Sequence, residues 1–114
     1  MRDVVVVLTT MPDDGRADEL AGALVDERLA ACVNVLAPMT SIYRWKGAAE
    51  REAERQLVIK TTRDRLTALE ARVRELHPYE LPEFVVVTVE SASKAYAEWV
   101  TEQTRTDRGD TPAR

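Results

Sequence analysis

The chain has 114 residues, 45% of them hydrophobic and 32% charged, a formal net charge of −4, and one histidine and one cysteine. That length suits a single domain able to bury roughly two-thirds of its unfolded surface without disulfides, and the composition excludes a disordered, collagenous or membrane-embedded chain. The acidic balance counts against nucleic-acid binding, the lone Cys32 allows no intramolecular disulfide, and the five apolar residues Val4 to Leu8 are too few for a signal sequence or membrane span, which predicts a cytoplasmic protein.

Val4 to Leu8 is an unbroken, β-branched run and reads as a central strand covered on both faces. Met11 to Gly15 follows as a turn whose acids suit the start of a helix. From about Arg16 to Leu29, Leu20, Ala21, Leu24 and Val25 recur at helical spacing. Ala31 to Trp45 is strand-forming, with Pro38 marking a bulge or bend. Gly47-Ala48-Ala49 reads as a turn before the return strand Glu50 to Thr62, and together these segments make a long hairpin. A second helix over about Asp64 to Leu76 carries Leu66, Leu69, Val73 and Leu76 on one stripe and stops before Pro78. Phe84 to Val89 is a last strand, and Tyr96, Trp99 and Val100 mark a final helix from about Lys94 to Gln103.

The order predicts an α+β fold, a ferredoxin-like βαββαβ sandwich with all helices on one face of a four-stranded antiparallel sheet, a long protruding hairpin and an extra C-terminal helix. Residues 1–104 form one domain and 105–114 a polar tail. Arg108-Gly109-Asp110 in that tail spells an adhesion tripeptide, read as coincidence in a chain without an export signal. Fifteen residues from Ala31 to Trp45 would span about 50 Å, far beyond a domain whose radius of gyration is about 13 Å. The outer part of the hairpin carries Met39, Ile42, Tyr43 and Trp45, an apolar strand edge that another copy of the chain would cover. Folding back at Pro38 is the alternative.

Chemistry-bearing residues concentrate in His77-Pro78-Tyr79-Glu80-Leu81-Pro82-Glu83, a proline-stiffened loop between helix and strand. It reads either as a binding loop or as a helix C-cap in which His77 answers the macrodipole and Tyr79 packs. Cys32 sits among small apolar residues and reads as an inert buried thiol, though with His77 it could offer a divalent ion of copper type two ligands. Glu50, Glu52 and Glu54 alternate along one face of a strand, interleaved with Arg51 and Arg55; they read as a solvated edge or as weak contacts for hard divalent ions. No Ser-His-Asp order, GxSxG, P-loop or GxGxxG is present, so no enzyme is expected.

Thr9-Thr10-Met11-Pro12-Asp13, Leu29-Ala30-Ala31-Cys32-Val33-Asn34, Ser41-Ile42-Tyr43-Arg44-Trp45-Lys46-Gly47, Leu57-Val58-Ile59-Lys60-Thr61 and the His77 to Glu83 motif, closed by Tyr96 and Trp99, together resemble the signatures of the CutA divalent-cation-tolerance family. The resemblance implies a ferredoxin-like protomer in a tight homotrimer whose long hairpins pair between subunits through residues such as Met39, Ile42 and Trp45. It implies tolerance of copper and other divalent cations, weak metal binding at His77 and Cys32, and no catalysis. Some members hold copper at positions that correspond here to Thr9, Leu76 and His77, of which only His77 can ligate. Lys46 and Ala48 stand where Glu and Lys are usual. The fold also resembles the PII signalling trimers, an analogy that implies an intersubunit cleft lined by some of Cys32, Tyr43, Lys60, Tyr79 and Glu83 for a small molecule or protein ligand.

Overall fold

In the computed structural model, which describes residues 3–106, the valine run opens a strand β1 that continues from Val4 to Pro12. Met11 and Pro12, expected in a turn, extend the ladder because the partner strand is long enough to pair them with Arg55 and Glu54. The acids that follow act as expected at the start of helix α1 (Arg16–Asp26): Asp14 accepts from the backbone N–H of Arg16 at 3.0 Å and pairs with its guanidinium at 2.8 Å. The helix ends three residues before the expected Leu29. Arg28 takes a left-handed φ of 60°, and its N–H and that of Leu29 return to the carbonyls of Val25 and Leu24, a Schellman closure that seats Leu29 in the core.

The segment around Pro38 breaks into two strands, β2 (Cys32–Val35) and β3 (Met39–Trp45), both pairing with β4 (Ala48–Thr62). The turn between β3 and β4 is tighter than expected. Lys46 and Gly47, at φ 50° and 83°, connect Trp45 directly to Ala48, with the two positive φ values of a type I′ hairpin. A 3₁₀ turn, Arg63–Arg65, occupies the expected first turn of the second helix, and α2 runs Leu66–Leu76. Strand β5 is Val85–Thr88 and α3 is Lys94–Gln103, capped by the Ser93 hydroxyl, which accepts from the Tyr96 N–H at 3.2 Å. Beyond residue 106 the polar tail, including Arg108-Gly109-Asp110, lies outside the described residues.

The sheet is wholly antiparallel in the order β2-β4-β1-β5, with β3 continuing the β2 side along β4. Counting β2 and β3 as one strand broken at Pro38, this is the ferredoxin-like arrangement. Strand parity decides what is covered. Val5, Val7, Thr9 and Met11 of β1 face the helices and are buried, and opposite them in register lie Leu57, Ile59 and Thr61, also buried. These side chains form the core with Leu20, Leu24, Leu69 and Val73. The other face is open in the single chain: Val4, Val6 and Leu8 are half-buried, and Val85 and Val87 beside them are exposed. Burial of β1 on both faces, expected from its unbroken apolar run, is thus met on one side only. Two residues of the expected helical stripes, Val25 and Leu76, also turn outward, each about 40% exposed, as are Tyr96 and Trp99 of α3.

Candidate functional site: an acidic, aromatic cleft beneath the His77 to Glu83 loop

The open face of the sheet carries a cleft of about 800 Å³ where the base of the hairpin meets the loop after α2. Register builds its floor. Ser41 opposes Glu52 and Tyr43 opposes Glu50, so the side chains of β3 and the carboxylate row of β4 lie on one face, which also continues to Thr10 of β1. Pro78 to Glu83 form the opposite wall, and Arg44 and Trp45 close the outer end.

His77 anchors that wall. It ends α2 with an extended backbone, its N–H bonding the Val73 carbonyl, and the following proline cannot continue the helix. The imidazole is buried, with Nε2 2.7 Å from the Thr10 carbonyl oxygen and Nδ1 accepting from the Tyr79 N–H at 3.2 Å. A carbonyl oxygen only accepts, so Nε2 carries the proton and the ring is neutral. Burial, opposed by the Thr10 hydrogen bond, holds its pKa below the ordinary histidine value. The Tyr79 ring lies 4.8 Å from the imidazole, and its hydroxyl donates to Glu54 Oε2 at 2.6 Å. Burial first, then that carboxylate, drives the Tyr79 phenol far above its usual range. Tyr43 shifts upward for the same two kinds of reason, desolvation and then the fields of Glu52, Glu50 and Glu54. Glu83 accepts from Gln56 Nε2 at 3.3 Å, and the same amide donates to the Thr9 carbonyl at 2.7 Å, which ties the far end of the loop to the sheet.

Of the expected cleft residues, Tyr43, Tyr79 and Glu83 are brought together, whereas Lys60 is not among the lining residues. Lys60 lies six residues along β4 from Glu54, about 20 Å at ~3.3 Å per residue, beside Cys32 and hydrogen-bonded to Asn34 Oδ1. Cys32 is half-buried at that same end of the sheet, so it and His77 do not form a pair. Met39 and Trp45 are half-buried on the hairpin, and Ile42 is 62% exposed. Glu54, expected on a solvated edge, is instead 6% exposed, because the hairpin base and Tyr79 close over it. Thr10, Ser41 and Arg44 also line the cleft; the turn between Trp45 and Ala48, once placed, would have put Ser41 opposite Glu52 from sequence.

The copper ligand positions implied by the resemblance do not fit a metal here. Thr9 Oγ1 is buried on the helix side of the sheet with no hydrogen-bond partner, Leu76 is apolar, and both nitrogens of His77 are engaged. Among the described residues, no three His, Cys, Asp or Glu side chains form a group that could hold a metal ion.

The sequence profile of the family described as "CutA1 divalent ion tolerance protein" matches residues 5–103. A "Divalent-cation tolerance protein CutA" from Thermus thermophilus is 44% identical over 99 residues, 87% of this chain and 96% of that protein. Among solved structures, the "Divalent cation tolerance protein (Cut A1)" of the same organism superposes with a TM-score of 0.87 at 43% identity, covering 90% of this chain and 99% of that one. CutA1 from Oryza sativa superposes at 0.89 and 35% identity, covering 93% and 97%.

Proposed function

This chain belongs to the CutA1 divalent ion tolerance family, and on that premise we propose that it is a non-enzymatic cytoplasmic homotrimer acting in tolerance of, or response to, divalent cations, copper among them. The observation that carries the reading is the pairing of an open acidic cleft with an engaged histidine. Glu52, Glu80 and Glu83 line the cleft without a nitrogen or sulfur ligand beside them, a donor set that meets divalent ions only weakly and that soft or imidazole-preferring metals do not favour. Catalysis is disfavoured for a related reason: Ser41 and Thr10 offer hydroxyls, but the one imidazole is committed to the backbone on both sides and is no base for them. Assembly is supported by the apolar open face and the projecting hairpin, which a single copy leaves in water.

Isothermal titration with copper(II) tests the metal side of the proposal. The expected result is weak binding that saturates only in large molar excess and is unchanged in His77→Ala. Tight stoichiometric binding lost in His77→Ala would overturn it.

A further inference from the structure

From the cleft's walls we infer a site for a small organic cation, an amine or quaternary ammonium with an apolar body. This goes beyond the metal-linked role and does not need it. The volume is the first argument: about 800 Å³ is the size of a small-molecule site and much larger than a hydrated ion requires. The second is the material of the walls. Tyr43, Trp45 and Tyr79 supply three aromatic rings and Pro78, Leu81 and Pro82 an apolar flank, while Glu52, Glu54, Glu80 and Glu83 set four carboxylates against the single guanidinium of Arg44. Aromatic faces beside carboxylates select a cation that also carries hydrocarbon, since rings attract the charge and cover the apolar body at once. A bare divalent ion uses only the acids, and an anion is repelled by them.

Two features show the same preference inside the chain. The Lys46 ammonium stands 5.8 Å from the centroid of the Trp45 ring, an intramolecular instance of the contact proposed for the ligand. Glu50 stands opposite Tyr43 in register, with Glu52 and Glu54 next on the same face of β4, so the carboxylate row runs along the aromatic wall; desolvation first, and then the fields of these glutamates, raise the Tyr43 phenol above its ordinary pKa. Glu54 is paired to the Tyr79 hydroxyl and positions that ring, which leaves Glu52 and Glu80 as the carboxylates free of a role in the fold that would receive the ammonium.

Calorimetry on the native assembly tests this with phenethylamine, its neutral analogue 2-phenylethanol, and methylammonium. The expected result is saturable phenethylamine binding, weakened about fivefold or more by either Tyr43→Leu or Glu52→Gln, and no measurable binding of the alcohol or of methylammonium. Both side chains are exposed in the single chain, and an unaltered circular dichroism spectrum together with an unaltered sedimentation mass establishes that each variant is folded and assembled as the wild type is. Equal binding of alcohol and amine would overturn the proposal by removing the charge from recognition. Equal binding of methylammonium and phenethylamine, or amine binding indifferent to Tyr43→Leu, would overturn it by reducing the site to an acidic patch. No binding of phenethylamine at all would overturn it outright, whatever the copper titration gives.

Discussion

Burial pushes the His77 imidazole toward its neutral form; the Thr10 carbonyl and the Glu54 carboxylate favour a second proton, and Arg16 disfavours it. That proton could go only to Nδ1, where it would face the Tyr79 N–H that Nδ1 now accepts from. The folded pKa therefore lies below the unfolded value of about 6.5, the unfolded chain binds more protons in this window, and stability must rise with pH. The contribution is fully present above the unfolded value and is lost as pH falls below it. Urea unfolding at pH 7.5 and at 5.5 is expected to give a lower midpoint at the acid pH, and His77→Gln to remove most of the difference; an unchanged slope in the variant would contradict the neutral tautomer. The loop holding this histidine was legible because its prolines and polar groups are contiguous. Its partners were not: Glu54 lies 25 residues from Tyr79, and only the register of β4 reveals that its carboxylate is under the loop rather than in water.

At the scale of elements, the β3–β4 hairpin takes its register from a two-residue turn in which both positions have positive φ. Glycine fills the second at little cost, but Lys46 at the first is a non-glycine residue where Asn and Asp are preferred. Lys46→Asn is expected to stabilise the fold by about 0.5 kcal/mol after loss of the Trp45 contact, and Lys46→Val, β-branched in a left-handed conformation, to destabilise it by about 1 kcal/mol or more. Urea midpoints in the order Asn, Lys, Val from highest to lowest check this; any other order would mean that the turn does not hold the register. The same hairpin shows what pattern reading can reach. Pro38 marked the break between β2 and β3, and helical spacing found all three helices, since each signal is local. The end of α1 was misplaced because Arg28 closes it in a conformation usually signalled by glycine. Val25 and Leu76 fall on the expected stripes yet face outward, because an apolar residue at helical spacing does not say whether its own chain or another surface will cover it.

The described residues measure 49 × 30 × 23 Å with a radius of gyration of 15.2 Å, above the roughly 13 Å of a compact chain of this length. The excess is the hairpin, and the uncovered apolar surface lies with it and along the open face. Val87 stands on that face in the edge strand β5, opposite Val6 in register and 42% exposed. If copies of the chain meet there, as proposed, a carboxylate at Val87 must be desolvated in the interface without a partner, whereas in the separate chain it merely replaces an exposed valine. Val87→Asp is therefore expected to weaken association at least tenfold while leaving the circular dichroism of the subunit unchanged. Sedimentation equilibrium at micromolar concentration should give the wild type three times the 12.8 kDa chain mass and the variant a mixture shifted toward one. A wild type that sediments as a single chain would remove the assembly, and a Val87→Asp protein of unchanged mass would move the contact off this face and onto the hairpin alone, where Ile42→Asp separates the two surfaces.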